Sequence, residues 1–171
     1  MKRKLLSIIA LSITLLFFVA PASALPKANS PFSEQVTFTA PGNISQGNQF
    51  YQGSIFYVTN GISTGSVEDI SGLDLSGTIW TKLSGFYDLT TGTGSFAGKW
   101  QITTSSGTFE GNVVGAITTT SPTTFHIHGM YVGFGGGSYL RDRIKGTFEG
   151  DAVAGTLAVN LVMNGVLNDK I

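Results

Sequence analysis

The chain has 171 residues, of which 42% are hydrophobic and 12% charged, with 23 glycines and ten basic side chains against ten acidic ones. So apolar a composition excludes a disordered tail, because such segments have low hydrophobicity and high charge. There is no cysteine, which excludes a disulfide framework and a thiol nucleophile.

The first 24 residues have the three parts of a secretory signal peptide. Lys2, Arg3 and Lys4 form a cationic start, residues 5–19 are apolar, and Ala22-Ser23-Ala24 is a small-residue cleavage site. An uncleaved membrane anchor is the alternative, but the apolar run is short for a spanning helix. We therefore expect a signal peptide over residues 1–24 and cleavage after Ala24.

Cleavage changes the size and the charge of the protein. It leaves 147 residues, enough for one domain, and seven basic against ten acidic side chains, a net charge of −3. A mildly acidic surface argues against nucleic acid, which needs a concentrated basic face. We expect a secreted or periplasmic protein with no stable membrane insertion once the signal peptide is removed.

Alternation of apolar and polar residues predicts strands along the rest of the chain. Residues 25–33 are expected to be a flexible lead-in, and residues 34–171 a β-barrel domain. The predicted strands are 35–39, 50–59, 78–87, 96–104, 108–118, 123–132, 139–148 and 153–163. Residues 62–72 fit either a short strand or a loop. Asn60-Gly61 is expected to be the turn that ends the second strand.

One pattern occurs twice in the second half of the chain. Gly94-Ser95-Phe96 precedes the segment 107–111, Gly-Thr-Phe-Glu-Gly, and Gly137-Ser138-Tyr139 precedes the same five residues at 146–150. The repetition predicts that one hairpin unit is used twice. Glu110 and Glu149 are equivalent in the two copies, and a solvent-facing strand position explains them better than the paired acids of a glycosidase.

Candidate turns predict how the strands pair. These turns are Ser105-Ser106, Gly135-Gly136 and Asp151-Ala152. The first places Trp100 opposite Gly111, and the second places Tyr131 opposite Leu140. Large rings opposite glycines permit sharp strand coiling. We therefore expect an all-β fold, a single antiparallel up-and-down β-barrel of about eight strands.

The glycine and aromatic spacing resembles that of the allene oxide cyclase and dirigent-type barrel superfamily, and of small secreted bacterial and archaeal barrels. It is carried by Gly92-Thr93-Gly94-Ser95-Phe96 and Gly135-Gly136-Gly137-Ser138-Tyr139, each followed by Gly-Thr-Phe-Glu-Gly. The resemblance covers roughly residues 85–165. It implies an eight-stranded barrel enclosing an apolar ligand cavity and leaves a homo-oligomer open, since barrels of this kind are often trimeric or dimeric. No catalytic residue is carried over.

His126 and His128 are the two histidines, and their spacing places them on one face of a strand. The expected pairing puts Lys145 opposite His126 and Arg143 opposite His128. These cations would repel a metal ion, which also needs further ligands, so we expect a solvated polar face and no metal. Both histidines and Arg143 remain candidate ligand-binding residues, because an inverted barrel with its apolar face outward would turn them and Arg141 inward.

Three further residues are candidates for a ligand site. Asp142 shares the apolar face with Leu140 and Ile144, and a carboxylate there needs a partner, a raised pKa or access to water at the barrel rim. Trp100 and Tyr131 are expected to line a cavity or to form part of the core.

The sequence leads us to expect a binding protein whose barrel holds a small apolar or amphipathic molecule. The first alternative is an isomerase, cyclase or dirigent-type enzyme that steers a reactive substrate, with Asp142 or Tyr131 as the residues to test. The second is a structural protein with a solid barrel. No cofactor is expected.

Overall fold

The computed structural model describes residues 29–38, 44–45, 47–153 and 159–168, and the predicted signal peptide lies outside them. Ten strands and no helix occur in these ranges. The strands are β1 (Ser30–Phe38), β2 (Ile44–Ser45), β3 (Asn48–Gln52), β4 (Ile55–Asp69), β5 (Gly77–Asp88), β6 (Thr93–Thr104), β7 (Gly107–Ser121), β8 (Thr124–Gly137), β9 (Arg143–Val153) and β10 (Val159–Asn168). β1 begins within the segment expected to be a lead-in.

The strands form one antiparallel sheet that closes on itself. β4 to β10 pair in chain order, β10 pairs with β1, and β1 returns to β4, so that eight strands complete a ring. β2 and β3 pair with the N-terminal part of β4, whereas β1 pairs with its C-terminal part. The expected all-β antiparallel barrel of about eight strands is thus confirmed as a barrel-like ring.

The strands are tilted relative to the axis of the ring. Following paired residues from Val58 through each neighbouring strand returns to β4 at Asp69 instead of Val58. Such a stagger accompanies strand tilt in closed sheets and sets the width of the interior.

Alternation along the strands directs the apolar side chains inward. β1 shows the pattern most clearly, since Phe32, Glu34, Val36 and Phe38 are buried and the residues between them are not. The buried hydrophobic core also contains Val67, Leu75, Ile79, Trp100, Ile102, Phe109, Val113, Tyr131, Ile144, Phe148, Leu161, Met163 and Leu167. The inverted barrel considered above is therefore wrong: burying these apolar chains inside removes far more apolar surface from water than burying the polar face would.

The β6–β7 hairpin has the expected register. Trp100 lies opposite Gly111 and Phe96 opposite Gly115, with Ser105 and Ser106 between the strands. Thr104 Oγ1 accepts hydrogen bonds from the backbone N–H groups of residues 106 and 107, at 3.1 and 3.2 Å. A short polar connection leaves little freedom in pairing, which explains why this register was predictable.

The β8–β9 register differs from the expected one. β8 continues to Gly137, and a longer connection over residues 138–142 replaces the turn expected at Gly135-Gly136. Tyr131 consequently lies opposite Gly146, not Leu140. Three consecutive glycines do not determine by themselves which one ends the strand. The positive φ of 67° at Gly137 shows that the chain turns there.

Asp151-Ala152, the third expected turn, belongs instead to the end of β9, where Ala152 pairs with Val159. Asn60-Gly61 likewise lies inside β4, which contradicts the predicted turn. Asn60 has a φ of 58°, and the β4–β5 register shifts between Val58 and Gly61. The left-handed conformation that favours Asn-Gly in turns here forms a β-bulge.

The two copies of the repeated motif are only partly equivalent. Phe109 and Phe148 are both buried, and Glu110 and Glu149 are both exposed, as their equivalent positions predict. Phe96, however, lies within β6, whereas Tyr139 lies in the β8–β9 connection. The chain therefore does not use one hairpin unit twice.

One end of the ring is filled by side chains and by the β4–β5 connection. Asp69 organises this connection: its Oδ1 accepts hydrogen bonds from the Ser71 backbone N–H at 2.7 Å and the Gly72 N–H at 3.0 Å, and its Oδ2 from the Leu75 N–H at 3.3 Å. Burial opposes ionisation, but a hydrogen bond from the Ser71 hydroxyl, at 2.7 Å, and these backbone hydrogen bonds hold the pKa of Asp69 below its usual value. The hydrogen-bonded connection places Leu75, which is 2% exposed, against the core.

Asp69→Ala is expected to lower the free energy of unfolding by about 1–3 kcal/mol, because it removes an acceptor from several donors of the loop. Urea unfolding at pH 6 measures this change, with the exposed neighbour Glu68→Ala as the control. Equal destabilisation by both variants would show that the carboxylate does not organise the loop.

Candidate functional site

The ring contains a cavity of about 400 Å³, which lies in the half of the ring away from the β4–β5 connection. Its wall is mostly apolar and includes side chains from every strand of the ring. Its apolar lining includes Val36, Phe38, Phe56, Val58, Ile79, Leu83, Phe86, Phe96, Trp100, Val113, Ile117, Ile127, Phe148, Val159, Leu161 and Met163. None of the described lining residues is Lys, Arg, Asp, Glu or His.

The cavity has an inner, buried end and a more exposed end. Trp100 and Tyr131, at 3% and 4% exposure, lie at the inner end, whereas Phe86, at 44% exposure, lies near the β5–β6 connection. Phe86 belongs to an aromatic group with Tyr57 and Phe50. The ring centroids of Phe86 and Tyr57 are 6.3 Å apart, and those of Tyr57 and Phe50 are 4.9 Å apart. Tyr57 and Phe50 are not among the described lining residues, so this aromatic group extends outside the cavity wall.

Trp100 is fixed at the inner end by its backbone contacts. Its Nε1 donates hydrogen bonds to the carbonyl oxygens of Asn112, at 3.0 Å, and Val132, at 3.3 Å. Its ring meets that of Tyr131 edge to face, with 5.6 Å between centroids. The ring lies against Gly133, where a methyl group would come within 2.5 Å of it. Because Gly133 has no side chain, the Trp100 ring can pack against its backbone as part of the cavity wall.

Two hydroxyl groups in the cavity wall are buried without a hydrogen-bond partner among the described residues: Tyr131 Oη and Thr81 Oγ1. Buried polar atoms normally have partners, and leaving one without costs about 1–3 kcal/mol. Burial, and secondly the charge of Glu34, raise the pKa of the Tyr131 hydroxyl. Tyr131 therefore keeps its proton and can donate it in a hydrogen bond.

Glu34 is a buried carboxyl group that the sequence analysis missed. It is 1% exposed on β1, and neither carboxyl oxygen has a hydrogen-bond partner among the described residues. Burial, followed by the nearby charge of Asp69, raises its pKa from 4.5 to about 8, so that it is mainly neutral at pH 7. The spacing of Phe32, Glu34 and Val36 is the signal that could have found it, because these residues share one strand face.

The six candidate ligand residues do not form one site. Trp100 and Tyr131 line the cavity. Asp142 is 4% exposed in the β8–β9 connection, where its backbone N–H donates to the Tyr139 carbonyl at 2.9 Å, and it is not part of the cavity wall.

The other three candidates, Arg143, His126 and His128, lie outside the cavity wall. Arg143 is exposed, with its guanidinium 5.7 Å from the centre of the Phe134 ring. Neither histidine lies opposite a cation, which corrects the expected pairing. His126 lies opposite Asp151 and His128 opposite Glu149, because β9 is shifted relative to β8. The His126 Nδ1 is 3.2 Å from Asp151 Oδ1, and the two imidazole rings stack with centroids 5.6 Å apart.

Within the described part of the chain, no group of three or more His, Cys, Asp or Glu side chains could hold a metal ion. The same residues include no helix long and apolar enough to span a membrane. Comparison with protein families, curated proteins and solved structures found no match for this chain. The resemblance to the allene oxide cyclase and dirigent-type barrels therefore stays a prediction from glycine and aromatic spacing.

Proposed function

We propose that this protein is an exported barrel that binds a small apolar or amphipathic molecule in its interior. The observation that carries the proposal is the apolar cavity of about 400 Å³ between the strands. Its volume lies in the range of about 300–1,000 Å³ that is usual for ligand pockets, which are mostly apolar with a few placed polar groups. Transfer of an apolar molecule from water into such a wall is favourable.

The distribution of ionisable groups favours binding over catalysis. Tyr131 is the one titratable residue among the described residues at the inner end of the cavity, and its pKa is raised. Asp142, the other group considered for an isomerase or cyclase, lies away from the wall. General acid–base catalysis works best with a group that titrates near the working pH, which this wall does not supply. A solid structural barrel, the second alternative, would have no interior space of this size.

Two adjacent valines on β7 offer a matched test of the binding proposal. Val113 faces the cavity and is 9% exposed, whereas Val114 faces outward and is 47% exposed. Val113→Phe is expected to fill part of the cavity and to weaken binding of the apolar fluorescent probe N-phenyl-1-naphthylamine at least about tenfold, a loss of about 1.4 kcal/mol. Val114→Phe is expected to leave the affinity unchanged.

Fluorescence titration of the mature protein measures both affinities, and circular dichroism verifies that each variant is folded. If Val113→Phe does not fold, Val113→Met replaces it in the test, and Val114→Met is then the control. Lack of probe binding by the wild-type protein, or equal weakening by inward and outward substitutions, would contradict a ligand site in the cavity. Native mass spectrometry of protein purified without detergent would identify a carried molecule, and the mature N-terminus would test cleavage after Ala24.

A further inference from the structure

The ring is closed by a short ladder between β1 and β4. Among the described residues this ladder has five residue pairs, which join residues 34–38 to residues 65–69. One further backbone hydrogen bond runs from the Ile70 N–H to the Ser33 carbonyl oxygen, at 3.1 Å. Every other pairing around the ring has nine or more residue pairs. We call residues 34–38 and 65–69 the β1–β4 seam, and its short ladder makes it the place where a local opening costs least.

The outward side chains of β1 hold this strand to β10. Ser33, Gln35 and Thr37 each donate a side-chain hydrogen bond to β10, at 2.8, 3.3 and 3.2 Å. Their acceptors, in the same order, are Asn164 Oδ1, the Leu161 carbonyl oxygen and Asn160 Oδ1. β4 pairs with β5 along one edge, and with β2 and β3 along the N-terminal part of the other. Separation of the seam would therefore leave β1 on β10 and β4 on β5, each still part of a sheet.

A buried acid lies in the seam. Glu34 on β1 is 1% exposed and lies opposite Asp69 on β4, and neither of its carboxyl oxygens has a hydrogen-bond partner among the described residues. An ionised Glu34 would be a buried charge beside a second carboxylate, because hydrogen bonds in the β4–β5 connection lower the pKa of Asp69. Water would hydrate the Glu34 carboxylate in an opened seam.

Two residues on other strands also face Glu34. Tyr131 on β8 is close enough for the charge of Glu34 to contribute to raising its pKa, so it keeps its proton and carries no charge. Met163 lies opposite Glu34 on β10 and does not titrate. Neither residue offers Glu34 a positive charge, so the closed ring favours its protonated form.

We propose that the β1–β4 seam is a pH-dependent opening of the ring, which separates locally when Glu34 ionises. In the closed ring the pKa of Glu34 is about 8, whereas in an opened seam it approaches the ordinary value of 4.5. The open form therefore binds fewer protons between these values, and its population rises about tenfold per pH unit until about pH 8. Val36 and Phe38 on β1 line the cavity, so opening also removes one side of the cavity wall.

Hydrogen exchange of the folded mature protein, followed by mass spectrometry and corrected for the intrinsic exchange rate, tests this opening. At pH 7, seam amides are expected to be protected at least about tenfold less than amides of β6 and β7. Their exchange should depend weakly on low urea concentrations, because a local opening exposes little surface. In Glu34→Gln, seam protection at pH 7 should rise at least about tenfold, and its fall between pH 5 and pH 7 should disappear.

A disulfide across the seam is an independent test that keeps Glu34. Gln35 and Glu68 are direct partners, and the chain has no cysteine of its own. The oxidised variant Gln35→Cys/Glu68→Cys should lose the local opening and regain it on reduction with dithiothreitol. The matched control is Gln101→Cys/Glu110→Cys, which joins direct partners of β6 and β7 and should leave seam exchange unchanged.

Equal protection and equal urea dependence in the seam and in β6 and β7 would show that the ring opens only by complete unfolding, and would overturn the proposal. A weakly protected seam whose exchange is the same in Glu34→Gln would also overturn it, because Glu34 would not control the opening. None of these measurements needs a ligand. Failure of the cavity to bind N-phenyl-1-naphthylamine would therefore contradict the proposed function alone.

Discussion

Replacing Glu34 by glutamine is expected to remove a large loss of stability that the protein undergoes between about pH 5 and pH 8. In the folded protein this carboxyl keeps its proton up to about pH 8, whereas its ordinary pKa is 4.5. Between these values the folded state binds more protons than the unfolded state, so the free energy of unfolding falls as the pH rises. The contribution is fully present below pH 4.5 and is lost above about pH 8.

The expected effect is large for a single side chain. At about 1.4 kcal/mol per pH unit, the interval from pH 4.5 to about pH 8 corresponds to on the order of 5 kcal/mol. Glutamine has nearly the same shape and no charge, so Glu34→Gln should resemble the wild type at pH 5 and be more stable at pH 9.

Urea unfolding at pH 5, 6, 7, 8 and 9 provides the comparison. Glu68→Gln, at an exposed position on β4, is the control and should follow the wild-type curve. If Glu34→Gln loses stability with pH as steeply as the wild type does, Glu34 is not the buried, proton-bearing group described above.

Gly133→Ala is expected to lower the free energy of unfolding by about 2–3 kcal/mol, as overpacking of a close-packed interior does. The added methyl would lie 2.5 Å from Trp100 Cζ2 and 2.9 Å from the Glu110 carbonyl oxygen. Neither neighbour can move easily, because Trp100 is anchored by its hydrogen bonds and the carbonyl belongs to the paired backbone of β7. The near-ultraviolet circular dichroism of tryptophan should also change.

Gly136→Ala, three residues further along β8, is the matched control. Its added methyl would meet only the Thr108 hydroxyl, at 2.9 Å, and that side chain can rotate away. Thermal unfolding should therefore show a drop of several degrees for Gly133→Ala and a small change for Gly136→Ala. Equal melting temperatures for the two variants would mean that glycine at position 133 is not needed to seat Trp100.

Three buried side chains carry polar oxygens that lower the stability of the interior. Glu34, Thr81 and Tyr131 each place a side-chain oxygen in the interior without a hydrogen-bond partner among the described residues. Each such group lowers stability relative to an apolar residue of the same shape. Thr81 and Tyr131 belong to the residues that line the cavity, but their hydroxyl oxygens are buried and have no surface open to it.

The sequence by itself determined the fold class and the register of one hairpin. Strand alternation is local, so the inward direction of Trp100 and Phe109 could be predicted from their neighbours. The β6–β7 register followed because a short polar turn at residues 105–106 leaves one good pairing. Strand alternation also allowed Tyr131 and Trp100 to be predicted as candidate residues of the cavity wall.

Only the tertiary structure decided where the remaining strands pair and which polar groups the ring encloses. The glycines at 135–137 allow several turn positions, and the β-bulge at Asn60 uses the same left-handed backbone as a turn. Glu34 stands beside Asp69 because β1 closes the ring against β4, a contact between segments far apart in the chain. The cavity, too, arises from the tilt of the closed strands, which no local pattern encodes, since tilt is a property of the whole ring.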